Sequence, residues 1–379
     1  MIELLCLLLP LAFYSGWRSA NRQSKLPQEQ EKPVPARFVR GINFLLNEEP
    51  DKALDLFLNA PSWDAQTADT FLALGKLFRN RGEVNRALRV HQYVIARPEL
   101  STRERQAAML ALGEDFFAAG LLDRAENVFR EFMRHYPKNT QACEPLRHIY
   151  EQLQEWEKAI ELAACGIEDK VERNKLLAHY LCEQAEDALD AKQLYQVEET
   201  LKKALAIQPK LARIQVLYAE LALARGERQA ALQYFKKAIE YDARLTSTLT
   251  KRFLEVFQQS YEAQQLQTFL RHEYARQPDP HLFPALLALS QTGGEASTVE
   301  PLVKTHLQQG NLSLQSVARA AEWQAQQAPQ DEPLHSLHVA LARLVKSQPR
   351  FQCVSCGYKM QDYLWRCPAC HRWETVHHL

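Results

Sequence analysis

Four cysteines near the C-terminus are the residues of this sequence best placed to do chemistry. They form two Cys-x-x-Cys pairs separated by ten residues, Cys353 with Cys356 and Cys367 with Cys370. Four thiolates at this spacing suit a tetrahedral Zn²⁺ or Fe site. Each pair makes a tight turn that points both sulfurs at one centre. Gly357 supplies the backbone freedom that the first turn needs, and Pro368 stiffens the second. We therefore predict one metal ion, iron or zinc, in a four-cysteine site.

Three other roles for these cysteines are alternatives to metal binding. A redox Cys-x-x-Cys of thioredoxin type belongs to a larger α/β domain than about thirty residues can supply. A disulfide pair requires an oxidising compartment. A nucleic-acid-binding ribbon is the serious alternative, because the segment carries the side chains that it would use: Lys359, Arg366, Arg372, Tyr358, Tyr363, Trp365 and Trp373. A module this small must also bury its aromatics to form a core, and metal binding then contributes folding free energy. We therefore expect no nucleic-acid partner.

The form CxxCGY…CPxC resembles rubredoxin, in which paired knuckles hold one iron. The second rubredoxin knuckle usually continues with Gly, and this sequence has His371 there. Histidine tolerates left-handed backbone better than most residues, so we expect the knuckle to form. The spacing leaves iron and zinc open.

The N-terminal segment differs from the rest of the chain. Residues 1–17, MIELLCLLLPLAFYSGW, are mostly apolar, and Arg18, Arg22 and Lys25 follow them with no Lys or Arg before. This charge order is the reverse of a cleavable signal peptide. We predict an uncleaved single-pass transmembrane anchor, with the bulk of the chain on the cytoplasmic side by the positive-inside rule. A 17-residue helix spans only about 25 Å, so an interfacial helix is the alternative. Residues 18–35 are predicted to form a polar linker.

Composition favours an all-α fold. The chain has 379 residues, a formal net charge of zero, 46% hydrophobic residues and only 12 glycines. Helix-forming residues dominate, and strand-like alternation is rare. The balanced charge gives no sign of whole-protein attraction to nucleic acid or to an anionic surface.

An internal repeat occupies the middle of the chain. LGKLFRNRGEVNRALRVHQ and LGEDFFAAGLLDRAENVFR share a Leu-Gly, a Phe three residues later, a second Gly and an Ala five residues beyond it. This resembles the tetratricopeptide pattern of 34-residue helical hairpins. The key small residue recurs at alternating intervals of 34 and 38 residues: Ala53, Ala87, Ala125, Ala159, Val197 and Ala231. We predict a tetratricopeptide superhelix over residues 36–347 with about eight or nine repeats, the last ones divergent, and longer inter-repeat loops at every second junction.

The first helices of such repeats line a concave wall that usually holds partners. By register, the candidate partner-binding residues are Lys76, Arg79, Glu114, Phe117, Glu220 and Leu223. Residues 348–379 form the metal-binding domain, which we expect to cap the last repeats. The sequence carries no paired carboxylates, Ser/His set or phosphate loop, so we predict that the protein is not an enzyme.

The order of anchor, repeat array and metal knuckles resembles the lipopolysaccharide assembly protein B family of Gram-negative bacteria. MIELLCLLLPLAFYSGW, GINFLLNEEPDKALDLFL, AAGLLDRAE and CVSCGYKMQDYLWRCPAC carry the resemblance, together with the first repeat quoted above. The resemblance implies an inner-membrane adaptor that regulates lipid A biosynthesis by promoting degradation of the committing deacetylase by an FtsH-type AAA protease. Other lipopolysaccharide assembly proteins would be further partners. A rubredoxin-type electron-transfer protein and an RNA-binding zinc-ribbon protein are the alternatives, and homo-oligomerisation is left open.

Overall fold

The computed structural model describes residues 39–379 with short gaps at 42, 45–46, 48, 59–64, 258–260, 293–295 and 309. The predicted anchor at 1–17 and linker at 18–35 lie outside the described residues. Within the part of the chain that is described, no helix has the length and apolar character needed to span a bilayer. The chain divides into two compact units, Met1–Leu146 and Arg147–Leu379.

The described part of the first unit consists mainly of helices. Its helices are α1 (Pro50–Leu58), α2 (Ala65–Asn80), α3 (Val84–Ile95), α4 (Thr102–Ala118) and α5 (Leu122–His135), and α6 (Cys143–Gln152) begins at its end. Within this unit α2 packs against α3, and α4 packs against α5.

The second unit continues the helical hairpins and ends in a small sheet. Its helices after α6 are α7 (Trp156–Leu162), α8 (Lys170–Asp190), α9 (Leu194–Ile207), α10 (Ala212–Ala224), α11 (Arg228–Tyr241), α12 (Leu245–Phe257), α13 (Ala263–Arg276), α14 (Phe283–Thr292), α15 (Ala296–Gln308), α16 (Leu314–Gln327) and α17 (Glu332–Ser347). Strands β1 (Phe351–Cys353), β2 (Lys359–Met360) and β3 (Val376–His378) follow. The mainly helical fold with a small C-terminal metal-binding ribbon is therefore confirmed.

The repeating small residue lies in the second helix of each hairpin and is fully buried. The six positions, all with 0% exposure, are Ala53, Ala87, Ala125, Ala159, Val197 and Ala231. Gly113 has a related role in a first helix, because a Cβ there would lie 2.5 Å from the Phe129 ring of the second. Small side chains thus set how closely the two helices of a hairpin approach.

The turns inside the five hairpins from α2 to α11 use left-handed backbone. Gly82, Gly120 and Gly226 adopt φ values of 78°, 72° and 81°. Gln154 and Lys192 take the same position in the other hairpins, with φ values of 56° and 57°. Because these two residues are not glycine, a search of the sequence for glycine does not find their turns, although the backbone conformation is the same.

The alternating spacing has a different cause from the one predicted. Helices α4 and α8, which lie in the 38-residue intervals, have 17 and 21 residues. Helices α2, α6 and α10, in the 34-residue intervals, have 16, 10 and 13. The first helices in the 38-residue intervals are thus the longer ones. The segments that precede them, 96–101 and 163–169, are no longer than the segment 136–142 in a 34-residue interval, so the prediction of longer loops at every second junction was wrong.

The C-terminal ribbon is a three-stranded antiparallel sheet with the order β2-β1-β3. Phe351 is paired with Met360 on one side and with His378 on the other. Its buried core consists of Phe351, Cys353, Cys367 and Val376. Two of these four residues are candidate metal ligands, so the ribbon has little apolar core apart from the site itself.

Candidate metal centre

The four predicted cysteines converge on one point. Their sulfur atoms all lie within 4.8 Å of one another. The Cys353 and Cys370 sulfurs are 3.7 Å apart, as are those of Cys356 and Cys367. Tetrahedral Zn–S bonds of about 2.3 Å place sulfurs about 3.8 Å apart, so the geometry fits a four-thiolate metal ion. The same arrangement suits iron, and the identity of the metal stays open.

The two knuckles have matching backbones. Gly357 has φ 78° and its N–H donates to the Cys353 carbonyl at 2.9 Å. His371 has φ 57° and its N–H donates to the Cys367 carbonyl at the same distance. The predicted tolerance of histidine for left-handed backbone is confirmed at this position. The His371 ring lies 5.7 Å from the ring of His148 in α6.

The surroundings of Cys353 favour its thiolate form. Burial raises the pKa of Cys353, but hydrogen bonds from the Thr375 side chain and from the backbone N–H groups of Cys356 and Ser355 outweigh it and lower that pKa to about 6. Hydrogen bonds to the charged form act in this direction generally. Cys367 is also buried, whereas Cys356 is exposed. One side of the site therefore faces solvent.

The other side of the ribbon packs against helices of the second unit. The ring of Trp373 stacks on His179 of α8, with centroids 4.6 Å apart and an angle of 12° between the planes. Glu374 forms an ion pair with Lys175 of α8, and Arg366 forms one with Glu151 of α6. These contacts join the second knuckle to two successive first helices.

Arg213 of α10 is at the centre of this contact and is 1% exposed. Its guanidinium carbon lies 5.6 Å from the ring centroid of Trp365 and 5.5 Å from that of Trp373. It also forms ion pairs with Glu183 at 2.8 Å and Glu186 at 2.9 Å. A buried cation held by two aromatic faces and two carboxylates fixes the ribbon to the helices. We call this surface the docking seam: Glu151, Lys175, His179, Arg213, Trp365, Arg366, Trp373 and Glu374.

The docking seam corrects the expectation that the ribbon caps only the last repeats. It extends over α6, α8 and α10, which lie well before the last hairpin. At the other end of the ribbon, the Arg244 guanidinium contacts the His377 ring nitrogen at 2.6 Å, and His281 stacks on His378 with ring centroids 4.4 Å apart. The ribbon therefore lies along several hairpins of the second unit.

Most of the aromatic residues that a nucleic-acid ribbon would use are engaged within this chain. Trp365 and Trp373 lie against Arg213, and Tyr363 packs on the core of the second unit. Tyr358 is an exception, with 48% of its surface exposed. This arrangement supports the prediction that the aromatics form a core.

The six candidate partner-binding residues lie in different settings. In the first unit, Arg79 pairs with Glu114 and with buried Asp115, which also contacts His91. Lys76 is exposed and Phe117 is half-buried. In the second unit, Glu220 accepts two hydrogen bonds from Arg252 at 2.8 and 2.6 Å, and Leu223 packs on the core. Arg79, Glu114 and Glu220 thus link neighbouring first helices, and their role in partner binding stays a prediction.

Sequence reasoning missed the helix side of the docking seam. Its one visible signal was Arg213, a charged residue in the otherwise mostly apolar helix ARIQVLYAELALA. The contribution of His179 and Glu151 could not be found without knowing which helices face the ribbon.

Comparisons with known proteins agree with this architecture. Residues 351–378 match the family described as the rubredoxin metal binding domain. The relative named lipopolysaccharide assembly protein B from Escherichia coli strain K12 is 31% identical over 383 residues, covering 99% of this chain and 98% of the relative. The protein of the same name from Haemophilus influenzae strain ATCC 51907 is 29% identical over 388 residues, with the same coverage of both chains.

Among solved structures, a crystal structure of MamA matches 48% of this chain and 95% of its own, with 19% identity and a TM-score of 0.34. The MamA fragment from Desulfovibrio magneticus RS-1 covers 46% of this chain and 95% of its own, with 14% identity and a TM-score of 0.31.

Proposed function

The chain belongs to the lipopolysaccharide assembly protein B family, and from this we propose that it is an inner-membrane adaptor that controls lipopolysaccharide output. The observation that carries the proposal is similarity to proteins of that name along almost the entire chain, with 99% of it covered. In this role it brings an FtsH-type membrane AAA protease together with the deacetylase that commits precursor to lipid A.

The four-cysteine site has a structural part in this function. The ribbon has a small core of its own, and its second knuckle is fixed to α8 and α10 by Trp373 and Arg213. The free energy of metal binding then stabilises both the ribbon and the helices that the ribbon covers. We propose no turnover at the site, in keeping with relatives that are named as assembly proteins rather than enzymes.

The predicted anchor at residues 1–17 gives the adaptor its place of action. Tethering the repeats to the inner membrane, on its cytoplasmic side, raises their effective concentration near a membrane-bound protease and its substrate. Residues 36–347 then serve as the partner-binding array and residues 348–379 as the metal-binding domain. Among the charged partner-contact candidates, the exposed Lys76 takes part in none of the ion pairs described above.

The half-life of the deacetylase tests the proposal. In a Gram-negative host that lacks its own family member, we would express this chain, block translation and follow the deacetylase by immunoblot. Wild-type chain should shorten the half-life at least threefold. Deletion of residues 1–17, or replacement of all four ligands by serine, should abolish the effect. Cys182→Ala is the matched control, because Cys182 is a buried free cysteine outside the site.

A pull-down from the same membranes separates the adaptor from its alternatives. Recovery of the protease and the deacetylase with wild type, reduced with the four-serine variant, supports the adaptor. Recovery of RNA and RNA-binding proteins alone would overturn it. An unchanged deacetylase half-life with wild-type chain would also overturn it, and a reversible one-electron signal would then favour electron transfer.

A further inference from the structure

Thr375 lies directly beside the metal site but outside the Cys-x-x-Cys motifs. Its hydroxyl oxygen is 3.3 Å from the Cys353 sulfur and 3.2 Å from the Arg372 carbonyl oxygen. The same carbonyl accepts a hydrogen bond from the backbone N–H of Cys367 at 2.9 Å. Thr375 therefore connects the sulfur of the first knuckle to the backbone of the second.

The backbone holds Thr375 in place. Its carbonyl accepts from the Val354 N–H at 2.8 Å, and the next residue, Val376, is paired with Cys353 across the sheet. The hydroxyl is thus fixed near one sulfur by two backbone interactions that do not depend on its own hydrogen bond. A hydroxyl held in this way needs little reorganisation to donate a hydrogen bond to a neighbouring negative charge.

We propose that Thr375 is a positioning residue for the metal site, whose hydroxyl donates a hydrogen bond to the Cys353 thiolate when metal is bound. A threonine hydroxyl has one proton to donate and can accept as well. In the structure the hydroxyl lies within hydrogen-bonding distance of both the Cys353 sulfur and the Arg372 carbonyl oxygen. With metal bound, the Cys353 sulfur is a thiolate and therefore a charged acceptor. The hydroxyl proton then turns toward it.

Donation to the sulfur leaves neither the sulfur nor the Arg372 carbonyl without a partner. The Arg372 carbonyl keeps the Cys367 N–H when the hydroxyl turns away. The thiolate gains a charge-assisted hydrogen bond, which is about twice as strong as a neutral one. Outer groups of this kind orient a ligand and adjust its basicity, and their loss typically weakens metal binding about 10–100-fold.

Replacement of the hydroxyl tests the proposal in the full chain. Zinc affinity would be measured by competition with a chromophoric chelator for wild type, Thr375→Val and Thr375→Ser. Valine keeps the shape and removes the hydroxyl, so binding should weaken about 10–100-fold. Serine keeps the hydroxyl and should stay within about threefold of wild type. Ser347→Ala is the control and should leave zinc affinity unchanged, since the Ser347 hydroxyl donates to the Leu344 carbonyl in α17, outside the ribbon.

A spectroscopic readout separates the hydrogen bond from mere packing. In the Co²⁺-loaded chain, loss of a hydrogen bond to a thiolate raises the energy of its lone pair. The thiolate-to-cobalt charge-transfer band of Thr375→Val should therefore move to longer wavelength, and that of Thr375→Ser should not. Equal affinity and an unshifted band in Thr375→Val would overturn the proposal. So would a serine variant that behaves like valine, because the methyl group would then be responsible.

Discussion

Trp373 lies flat on His179, with ring centroids 4.6 Å apart, and Arg213 sits against the same indole at 5.5 Å. This relationship joins a residue three positions beyond the last metal ligand to two helices far away in sequence. The metal site and the helical hairpins of the second unit are therefore parts of one packed structure.

Trp373→Ala should destabilise the second unit. The indole contacts His179, Tyr180 and Arg213, and its removal leaves a cavity around a buried cation. Tryptophan-to-alanine changes in cores cost about 3–5 kcal/mol, and partial exposure of this ring reduces the expected loss to about 2–4 kcal/mol. Urea unfolding followed by far-UV circular dichroism measures it.

Tyr358→Ala is the matched control for that experiment. Tyr358 is an aromatic residue of the same ribbon, 48% exposed on the first knuckle. Its removal should change the free energy of unfolding by about 0.5 kcal/mol or less. Equal losses for the two variants would show that the docking seam contributes nothing specific.

The sequence predicted the ligands and the hairpins for a physical reason. Both depend on local spacing: Cys353 and Cys356 on one turn, and Ala87 and Ala125 on a repeating helix face. The docking seam depends on contacts between residues that are distant in the chain, such as Arg366 with Glu151. Nothing in local spacing encodes which helices the ribbon will cover.

Gly113→Ala should destabilise the first unit by about 1–3 kcal/mol. A Cβ at this position would lie 2.5 Å from the Phe129 ring, which is fully buried. Overpacking of a close helix contact costs about this much. Thermal unfolding of the full chain, read as the midpoint of the first transition, measures the change.

Gly310→Ala provides the comparison for Gly113. A Cβ at Gly310 meets nothing within 4 Å, so alanine should be neutral there to within about 0.5 kcal/mol. If both alanine variants unfold like wild type, close approach at Gly113 is not what sets the hairpin packing.

Acid should weaken the packing of the ribbon on the helices. Burial first, and then Arg213 and Lys175, hold the pKa of His179 well below its usual range. Burial, His281 and Arg350 lower the pKa of His378 to about 3. In the unfolded chain these rings titrate near pH 6.5, so below that pH the unfolded state binds more protons. Stability is therefore full above about pH 6.5 and falls as pH drops toward the folded pKa values.

The His179 contribution can be isolated by substitution. When a histidine stays neutral in the folded state, the free energy of unfolding falls by about 1 kcal/mol as the pH drops from about 6.5 to 5.5. His179→Phe keeps a flat ring against Trp373 but cannot titrate, so its urea midpoint should fall less over this interval. Val171→Phe, at an exposed side chain of the same helix, should keep the wild-type pH dependence. A parallel fall for His179→Phe and wild type would contradict the assignment.

Removal of the metal should loosen helices as well as the ribbon. The buried core of the ribbon is Phe351, Cys353, Cys367 and Val376, and without metal its two buried cysteines no longer hold the knuckles together. Trp365 and Trp373 of the docking seam are then no longer held in fixed positions. Hydrogen exchange by mass spectrometry, with and without a strong chelator, should show faster exchange in the ribbon and in α8 and α10.

Two controls make the result specific to metal loss. Zinc added back should restore protection in α8 and α10, and the α2–α3 hairpin of the first unit serves as the internal reference. Protection should rise again in proportion to bound zinc, because metal-binding free energy is folding free energy for so small a domain. Full protection of α8 and α10 after elemental analysis has shown that the metal is gone would mean that the ribbon docks without its metal. That result would contradict a structural role for the metal site.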